Sequence, residues 1–294
     1  MKKLLFPLAI LGMFFFASCG GDGSDEEPTD DGPTAEEKEK EAKIATIPTD
    51  RVALYIKSSG TNCPPCGAWG WNVHGAVIEE AGAFISPFTI HSANFVSKDF
   101  INEEGNKLDG DLGVSGWPTF ITNKGLNGKL EKEPLNGGST EASLKAQYLG
   151  AIEAVVAEEA KAGSAVKWSV SGNEITVDVR TTFFEDVPEG EYYIAVWVDE
   201  NLVQAPQAGY TAGTPYHKHV LRTALDGHSV YGVPLNKDGG AIEKGSLFET
   251  THTGEFPEGA WDVNNTTVTA LVWTVTGTLT KAYGVMNTSQ ATFE

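Results

Sequence analysis

Cysteine is scarce in this chain, and the scarcity limits the kinds of site that the sequence can form. Its 294 residues include three cysteines, Cys19, Cys63 and Cys66. A structural zinc site usually needs four ligands, most often a second cysteine pair or two closely spaced histidines. No second pair exists, and the nearest histidines, His74 and His91, stand alone in sequence. We therefore expect no metal site and no other cofactor.

Basic residues and long apolar runs are also few. Lysine and arginine number 21 against 40 acidic residues, which gives a formal net charge of −19. A body this acidic repels phosphate backbones, so nucleic acid is excluded as a partner. Beyond the N-terminus no stretch holds the roughly 18 consecutive apolar residues of a membrane-spanning helix. A lipid would then be the only attachment to a membrane.

The N-terminus has the order of an export signal. Two lysines precede the apolar run Leu4–Phe16, and the small residues Ala17 and Ser18 lead to Cys19. This order resembles a bacterial lipoprotein signal over residues 1–19, with Cys19 as the lipidated residue. The position three residues before the cysteine, usually leucine, is Phe16. A plain secretory signal with an incidental cysteine is the alternative.

Residues 20–47 contain few groups that could build a core. The acidic, glycine-rich composition predicts a disordered tether between the membrane and a folded body. Its cluster Ser24–Glu27 resembles the acidic signal that sends lipoproteins of Bacteroides-type bacteria to the cell surface. We expect a lipid-anchored protein of the outer membrane, facing either the periplasm or the cell surface.

The pair Cys63 and Cys66 stands in the sequence TNCPPCGAWGW. Disulfides persist in the oxidising compartment that an exported protein reaches. A disulfide across two intervening residues closes a very small loop, so it removes little entropy from the unfolded chain. A redox centre is therefore favoured over a covalent staple, which stays the alternative.

Residues 48–162 alternate between strand-like and helix-like segments. Val52–Ile56 is a short apolar run typical of a buried strand. A helix is predicted after the cysteines with its end at Gly82, then a strand broken early by Pro87. A polar, glycine-containing stretch over residues 98–116 separates it from a hairpin that turns at 123–128. A helix that begins near Ser139 closes the region.

Residues 163–294 are rich in strands and poor in helices. Apolar residues alternate on both sides of Ser171–Asn173, which predicts a hairpin. Several short strands at close spacing predict an antiparallel sandwich. The aromatic residues of EYYIAVWV and ALVWTV alternate as core residues of a sandwich do, and a platform that binds glycan is the alternative.

The motif CPPC after a strand, with Trp117-Pro118-Thr119 before the hairpin, resembles the thioredoxin fold. Together with SSGTNCPPC, VSGWPTF and YHKHVLR, the chain looks like the family related to the 28-kilodalton outer membrane protein, lipoproteins of Bacteroides-type bacteria. The resemblance implies an α/β thioredoxin-like domain over 48–162, followed by an all-β antiparallel sandwich domain over 163–294.

The resemblance also assigns roles. Pro118 would be the cis-proline that faces the disulfide, and Trp117 and Thr119 would contact the partner's extended backbone. A core aromatic is the alternative for Trp117. Cys63, accessible in its turn, would attack a partner disulfide, and Cys66 in the first helical turn would resolve the mixed disulfide. The partners would be thiols or disulfides of exported proteins.

Two positions depart from the pattern of thioredoxin-like enzymes. Asn62 stands where an aromatic residue commonly precedes the first cysteine. Lys57 stands six residues before that cysteine, where a buried carboxylate often moves protons. A lysine lowers the pKa of a nearby thiol but accepts protons poorly unless it is desolvated. The competing hypothesis is therefore a surface module that binds protein or glycan without turnover.

The motif YHKHVLR adds a further expectation. Spacing on a strand would place His217 and His219 on one face, an arrangement that two ligands of one metal ion require. A third ligand at diagnostic spacing is missing, so packing or hydrogen bonding is the favoured role. Arg222 is expected to hold a carboxylate inside the sandwich.

Overall fold

The structure is a computed structural model that describes residues 46–91, 100, 103–125, 128–135, 137–257, 259–276 and 282–292. The predicted signal with its lipidation site Cys19, and the tether up to residue 45, lie outside the described residues. No helix in the described ranges has the length and apolarity that would let it cross a membrane.

Helices and strands alternate along the first half of the described chain. In order they are β1 Ala53–Ser59, α1 Pro64–Gly67, α2 Trp69–Ala81, β2 Ile85–His91, α3 Glu103–Asp111, β3 Thr119–Lys124, β4 Lys129–Lys132 and α4 Glu141–Val156. Strand β1 pairs in parallel with β2 and antiparallel with β3, and β3 pairs antiparallel with β4.

Strands dominate the second half. They are β5 Ala162–Ser171, β6 Glu174–Phe183, β7 Glu191–Glu200, β8 Val203–Gln204, β9 Tyr216–His217, β10 Val220–Ala224, β11 Val233–Pro234, β12 Leu247–Glu255, β13 Thr266–Thr276 and β14 Ala282–Thr292. A short helical turn, α5 Leu225–His228, follows β10.

Strands from both halves form one mixed sheet of nine strands, in the order β10-β2-β1-β3-β4-β14-β13-β7-β11. Strand β10 pairs with β2 on one side and with β7 on the other, so all the strands except β11 close into a ring. The interior of this ring contains apolar side chains from both halves, among them Phe88, Trp197 and Trp273. Burial of these apolar side chains is the main favourable contribution to folding.

Two further apolar layers cover the sheet. Helices α2 and α4 pack on one face around Tyr55, Phe120 and Tyr148. The three-stranded sheet β12-β6-β5 packs on the part of the sheet formed by the second half. The chain is therefore mostly β, with a large mixed sheet and a few helices.

The sheet does not stop at the predicted domain boundary between residues 162 and 163. That boundary lies at the start of β5, and strands from before and after it are hydrogen-bonded in the nine-stranded sheet. All the residues that the structure describes belong to one compact unit. The division into a thioredoxin-like domain over 48–162 and a β-sandwich domain over 163–294 stays a prediction.

Several elements follow their local sequence signals. Helix α2 ends at Ala81 with Gly82 as its C-cap, which confirms Gly82 as the predicted stop, and the two predicted hairpins are β3–β4 and β5–β6. Helix α4 is capped by Thr140, whose side chain accepts a hydrogen bond from the backbone N–H of Ser143. The predicted break at Pro87 was wrong. Strand β10 pairs with β2 only at Thr89. No strand residue of β10 therefore lies opposite Pro87, and its missing N–H costs no hydrogen bond to β10.

Helix α3 was not predicted. Its residues are mostly polar and include two glycines, so no apolar stripe marks it. Buried polar contacts hold it instead, because Glu104 accepts hydrogen bonds from the Ala224 backbone N–H at 2.9 Å and the Thr223 hydroxyl at 3.0 Å. These partners lie more than a hundred residues away along the chain, where no local pattern could reveal them.

Candidate functional site

Cys63 and Cys66 form a disulfide at the start of the first helix, as predicted. Their Cα atoms lie 5.3 Å apart. Pro64 and Pro65 occupy the first two helical positions, where a missing N–H costs no intrahelical hydrogen bond. The backbone N–H of Cys66 donates to the carbonyl of Cys63 at 3.1 Å. The pair therefore sits at the positive end of the α1 backbone dipoles, which favours a thiolate in the reduced state.

Pro118 lies beside this disulfide. The Trp117–Pro118 peptide bond is cis. The carbonyl oxygen of Trp117 lies 3.6 Å from Cys63 Sγ, and Pro118 packs against α2 at Gly70. Thr119 begins β3, and its hydroxyl donates to the carbonyl of Gly116 at 2.6 Å. The fold thus brings Cys63, Trp117 and Pro118 together.

The indole of Trp117 is fixed by hydrogen bonds to Ser58 of β1 and Asp109 of α3. Its Nε1 donates to Ser58 Oγ at 3.0 Å and lies 3.4 Å from Asp109 Oδ2. Ser58 donates to the same carboxylate oxygen at 2.7 Å. Burial raises the pKa of Asp109. Asp109 escaped the sequence analysis because it belongs to α3, the helix that the sequence did not predict.

A segment of the second half covers the disulfide. We call Ala205–Tyr210, within the β8–β9 hairpin loop, the strap. The backbone N–H of Ala208 donates to the carbonyl of Thr61 at 2.8 Å. The side chain of Gln207 donates to the carbonyls of Gly60 and Cys63, each at 3.1 Å. The strap is therefore hydrogen-bonded to the turn that carries Cys63.

The strap corrects the expectation that Cys63 is accessible. Cys63 is only 4% exposed, and Cys66 is fully buried. The contact is close enough to require glycine on both sides: a Cβ atom on Gly209 would lie 2.0 Å from the carbonyl oxygen of Pro64, and one on Gly67 would lie 2.1 Å from that of Ala208. Sequence could not reveal this cover, because strap and motif are about 140 residues apart.

Lys57 is the second unusual feature near the disulfide. Its side chain extends from β1 toward α2, where Nζ lies 5.2 Å from the ring centre of Trp71. Lys57 is 3% exposed, and burial lowers its pKa to about 7. The position where thioredoxin-like enzymes often have a carboxylate is thus occupied by a desolvated amine. At neutral pH this amine exists partly in the neutral form.

The histidines of YHKHVLR separate, contrary to the expected shared face. His219 has a positive φ of 51°, and this backbone conformation interrupts the extended chain between the end of β9 and the start of β10. His217 Nε2 donates to the carbonyl of Ala205 in the strap at 3.2 Å, whereas His219 Nδ1 lies 3.0 Å from Asp199 Oδ2. Arg222 holds a carboxylate, as predicted, because its guanidinium contacts Glu200 at 2.6 Å.

The remaining predictions concern metals and aromatic residues. Among the described residues, no group of three or more His, Cys, Asp or Glu side chains is arranged to hold a metal ion. Trp197 and Trp273, the tryptophans of the aromatic segments, are fully buried inside the strand ring. They belong to the core and form no exposed platform for a sugar ring.

Comparisons with known proteins find similarity of structure only. No protein-family model and no curated protein matches the sequence. Among solved structures, HBP35 of Porphyromonas gingivalis aligns with a TM-score of 0.64 and 18% identity, covering 84% of this chain and 76% of that one. This likeness shows a shared fold.

Two more distant structures also align. A protein from Agrobacterium tumefaciens aligns with a TM-score of 0.45 and 11% identity, over 83% of this chain and 96% of that one. A domain of the outer membrane lipoprotein Omp28 from Porphyromonas gingivalis aligns with a TM-score of 0.29 and 15% identity, over 45% of this chain and 88% of that domain.

Proposed function

We propose that this protein is a thiol–disulfide exchange protein whose site is the pair Cys63 and Cys66 on a thioredoxin-like half. The observation that carries the proposal is the approach of Cys63 Sγ to within 3.6 Å of the carbonyl that precedes the cis-proline Pro118. The order β1, α1–α2, β2, α3, β3, β4, α4, with a parallel β1–β2 pair flanked by antiparallel β3 and β4, supports the thioredoxin-like arrangement.

The proposed reaction conserves thiols and disulfides. In the reduced protein, the Cys63 thiolate attacks one sulfur of a partner disulfide, forms a mixed disulfide and releases one partner thiolate. The Cys66 thiolate then attacks Cys63 Sγ, which re-forms the Cys63–Cys66 disulfide and releases the second partner thiol. The reverse sequence oxidises a partner dithiol. A second thiol–disulfide protein would restore the starting state.

The proposed setting is the bacterial envelope. A lipid on Cys19 would anchor the protein in the outer membrane, facing the periplasm or the cell surface, and its partners would be exported proteins with accessible disulfides or thiols. The oxidised state of Cys63 and Cys66 suits such a compartment. The basic residues, apolar run and small residues before Cys19 are the sequence features that support the anchor.

A trapping experiment tests the exchange. In the full chain, Cys66→Ala leaves Cys63 able to form a mixed disulfide and unable to resolve it. We expect discrete adducts with envelope proteins on non-reducing gels, which dithiothreitol removes. The matched control is the double variant Cys63→Ala/Cys66→Ala, which should form none. Equal adducts in both variants, or none with Cys66→Ala, would count against exchange at this site.

One observation favours a second function, a module that binds protein partners without turnover. The disulfide is covered by the strap, so Cys63 has little exposed surface in this conformation. A disulfide that never opens would serve only to fix the turn between β1 and α1. The two functions differ in whether the strap separates from Cys63.

A further inference from the structure

A partly open pocket lies where β1 and α2 meet the β8–β9 hairpin. Its volume is about 320 Å³, near the lower end of the range for pockets that hold small molecules. Lys57 from β1, Trp71 and His74 from α2, Tyr210 from the strap and His217 from β9 line it. Both halves of the chain therefore build this pocket.

Lys57 is a buried cation without an anion. Over the part of the chain that the structure describes, its ammonium group has no hydrogen bond and no carboxylate partner, and Nζ faces the ring of Trp71 at 5.2 Å from the ring centre. Burying a charge without a partner is costly, and proteins normally pair such groups or place them where a ligand completes the pair. A retained, unpaired lysine in the wall of a pocket therefore indicates an anionic ligand.

The surroundings of Lys57 are basic, although the whole chain is strongly acidic. Burial first, and then the positive charge of Lys57 and other basic neighbours, lowers the pKa of His74 well below its usual value. Burial and Lys57 likewise lower the pKa of His217 to about 4. These imidazoles are therefore neutral, and the positive charge of the pocket comes from the lysines in its lining, the buried Lys57 and the exposed Lys218. The nearby cation Arg222 is already paired with Glu200.

The aromatic walls add a second element of recognition. The rings of Trp71 and Tyr210 lie 5.1 Å apart at a tilt of 57°, and the ring of His217 meets Trp71 edge-on at 5.1 Å. Tyr216, which is 51% exposed, stands at the rim. Flat apolar groups pack well against such surfaces, because aromatic rings gain from offset or edge contacts beyond the area that they bury.

We propose that this pocket binds a small organic carboxylate with a flat apolar or aromatic body, whose carboxylate pairs with Lys57 Nζ and whose body packs against Trp71 and Tyr210. The site is separate from the cysteines and does not depend on the exchange reaction. Because Tyr210 belongs to the strap, an occupant would contact the same segment that covers Cys63.

Benzoate is a suitable probe, and the full chain is the protein to use. We expect saturable binding of benzoate by calorimetry, with a parallel change in tryptophan fluorescence. Benzamide, which keeps the ring and loses the charge, should bind at least tenfold more weakly, and so should acetate, which keeps the charge and loses the ring. Absence of saturable benzoate binding up to about 10 mM would overturn the proposal.

Variants locate the site. Lys57→Met keeps the length of the side chain and removes the charge, so it should weaken benzoate binding at least tenfold, whereas Lys237→Met at an exposed position should leave it unchanged. Trp71→Leu should weaken it several-fold. A Cys63→Ser/Cys66→Ser double variant should still bind, which separates this proposal from the exchange reaction. Equal affinity of Lys57→Met and the unaltered protein, or of benzamide and benzoate, would overturn the proposal.

Discussion

Replacing Gly209 by valine is expected to speed the reduction of the Cys63–Cys66 disulfide by dithiothreitol at least tenfold. Gly209 has a φ of +81°, and any Cβ there would lie 2.0 Å from the carbonyl oxygen of Pro64. The strap cannot keep its hydrogen-bonded position over the disulfide with an overlap of this size. A loss of about 1.4 kcal/mol in the closed state raises the open population tenfold, and reduction of a covered disulfide follows that population.

Gly213→Val is the matched control for this prediction. Gly213 lies in the same loop and also has a positive φ, of +100°, but a Cβ there would meet nothing within 4 Å. It therefore tests the backbone strain without the collision. Reduction rates would be followed by alkylation and mass spectrometry. If Gly209→Val reduces at the rate of the unaltered protein, the strap does not limit access to Cys63.

Lys57→Met should raise the free energy of unfolding by about 2–4 kcal/mol at pH 7. Burial lowers the pKa of Lys57 from 10.5 to about 7, so the folded protein at or below pH 7 bears the cost of a desolvated charge. Between pH 7 and 10.5 the unfolded chain holds a proton that the folded chain has released. The stability of the unaltered protein therefore rises with pH over this window.

The advantage of Lys57→Met should accordingly be largest at or below pH 7 and should shrink toward zero as the pH approaches 10.5. Urea unfolding of both proteins at several pH values measures it, with Lys237→Met at an exposed position as the control. A Lys57→Met protein less stable than the unaltered one at pH 7 would mean that Lys57 has a stabilising partner. A residue that destabilises the fold and is nonetheless present points to a role in binding or chemistry.

Local patterns predicted the parts of the fold that depend on neighbouring residues. The end of α2, with Gly82 as its C-cap, and the two hairpins follow from turn residues and apolar periodicity. The disulfide and the position of Pro118 came from the motif and its resemblance to the thioredoxin fold. These signals lie within a few residues of the structures that they specify.

The parts that sequence missed depend on contacts between distant residues. Periodicity indicates that β7 and β10 are strands. It does not indicate that they pair with each other, or that β10 also pairs with β2 and closes the ring. Helix α3 is fixed to the second half by the hydrogen bonds that Glu104 accepts from Thr223 and Ala224. The cover over Cys63 needs Gln207 and Ala208 to meet the β1–α1 turn. No local pattern encodes such pairings.

The reduction potential of Cys63 and Cys66 in the full chain tests the proposed exchange most directly. The pair would be equilibrated with dithiothreitol or glutathione buffers of known potential, and the reduced fraction counted by alkylation and mass spectrometry. Exchange predicts a potential above about −300 mV, within the range over which envelope partners can reduce or oxidise the pair. A potential well below about −300 mV would contradict it and leave the disulfide a fixed structural link.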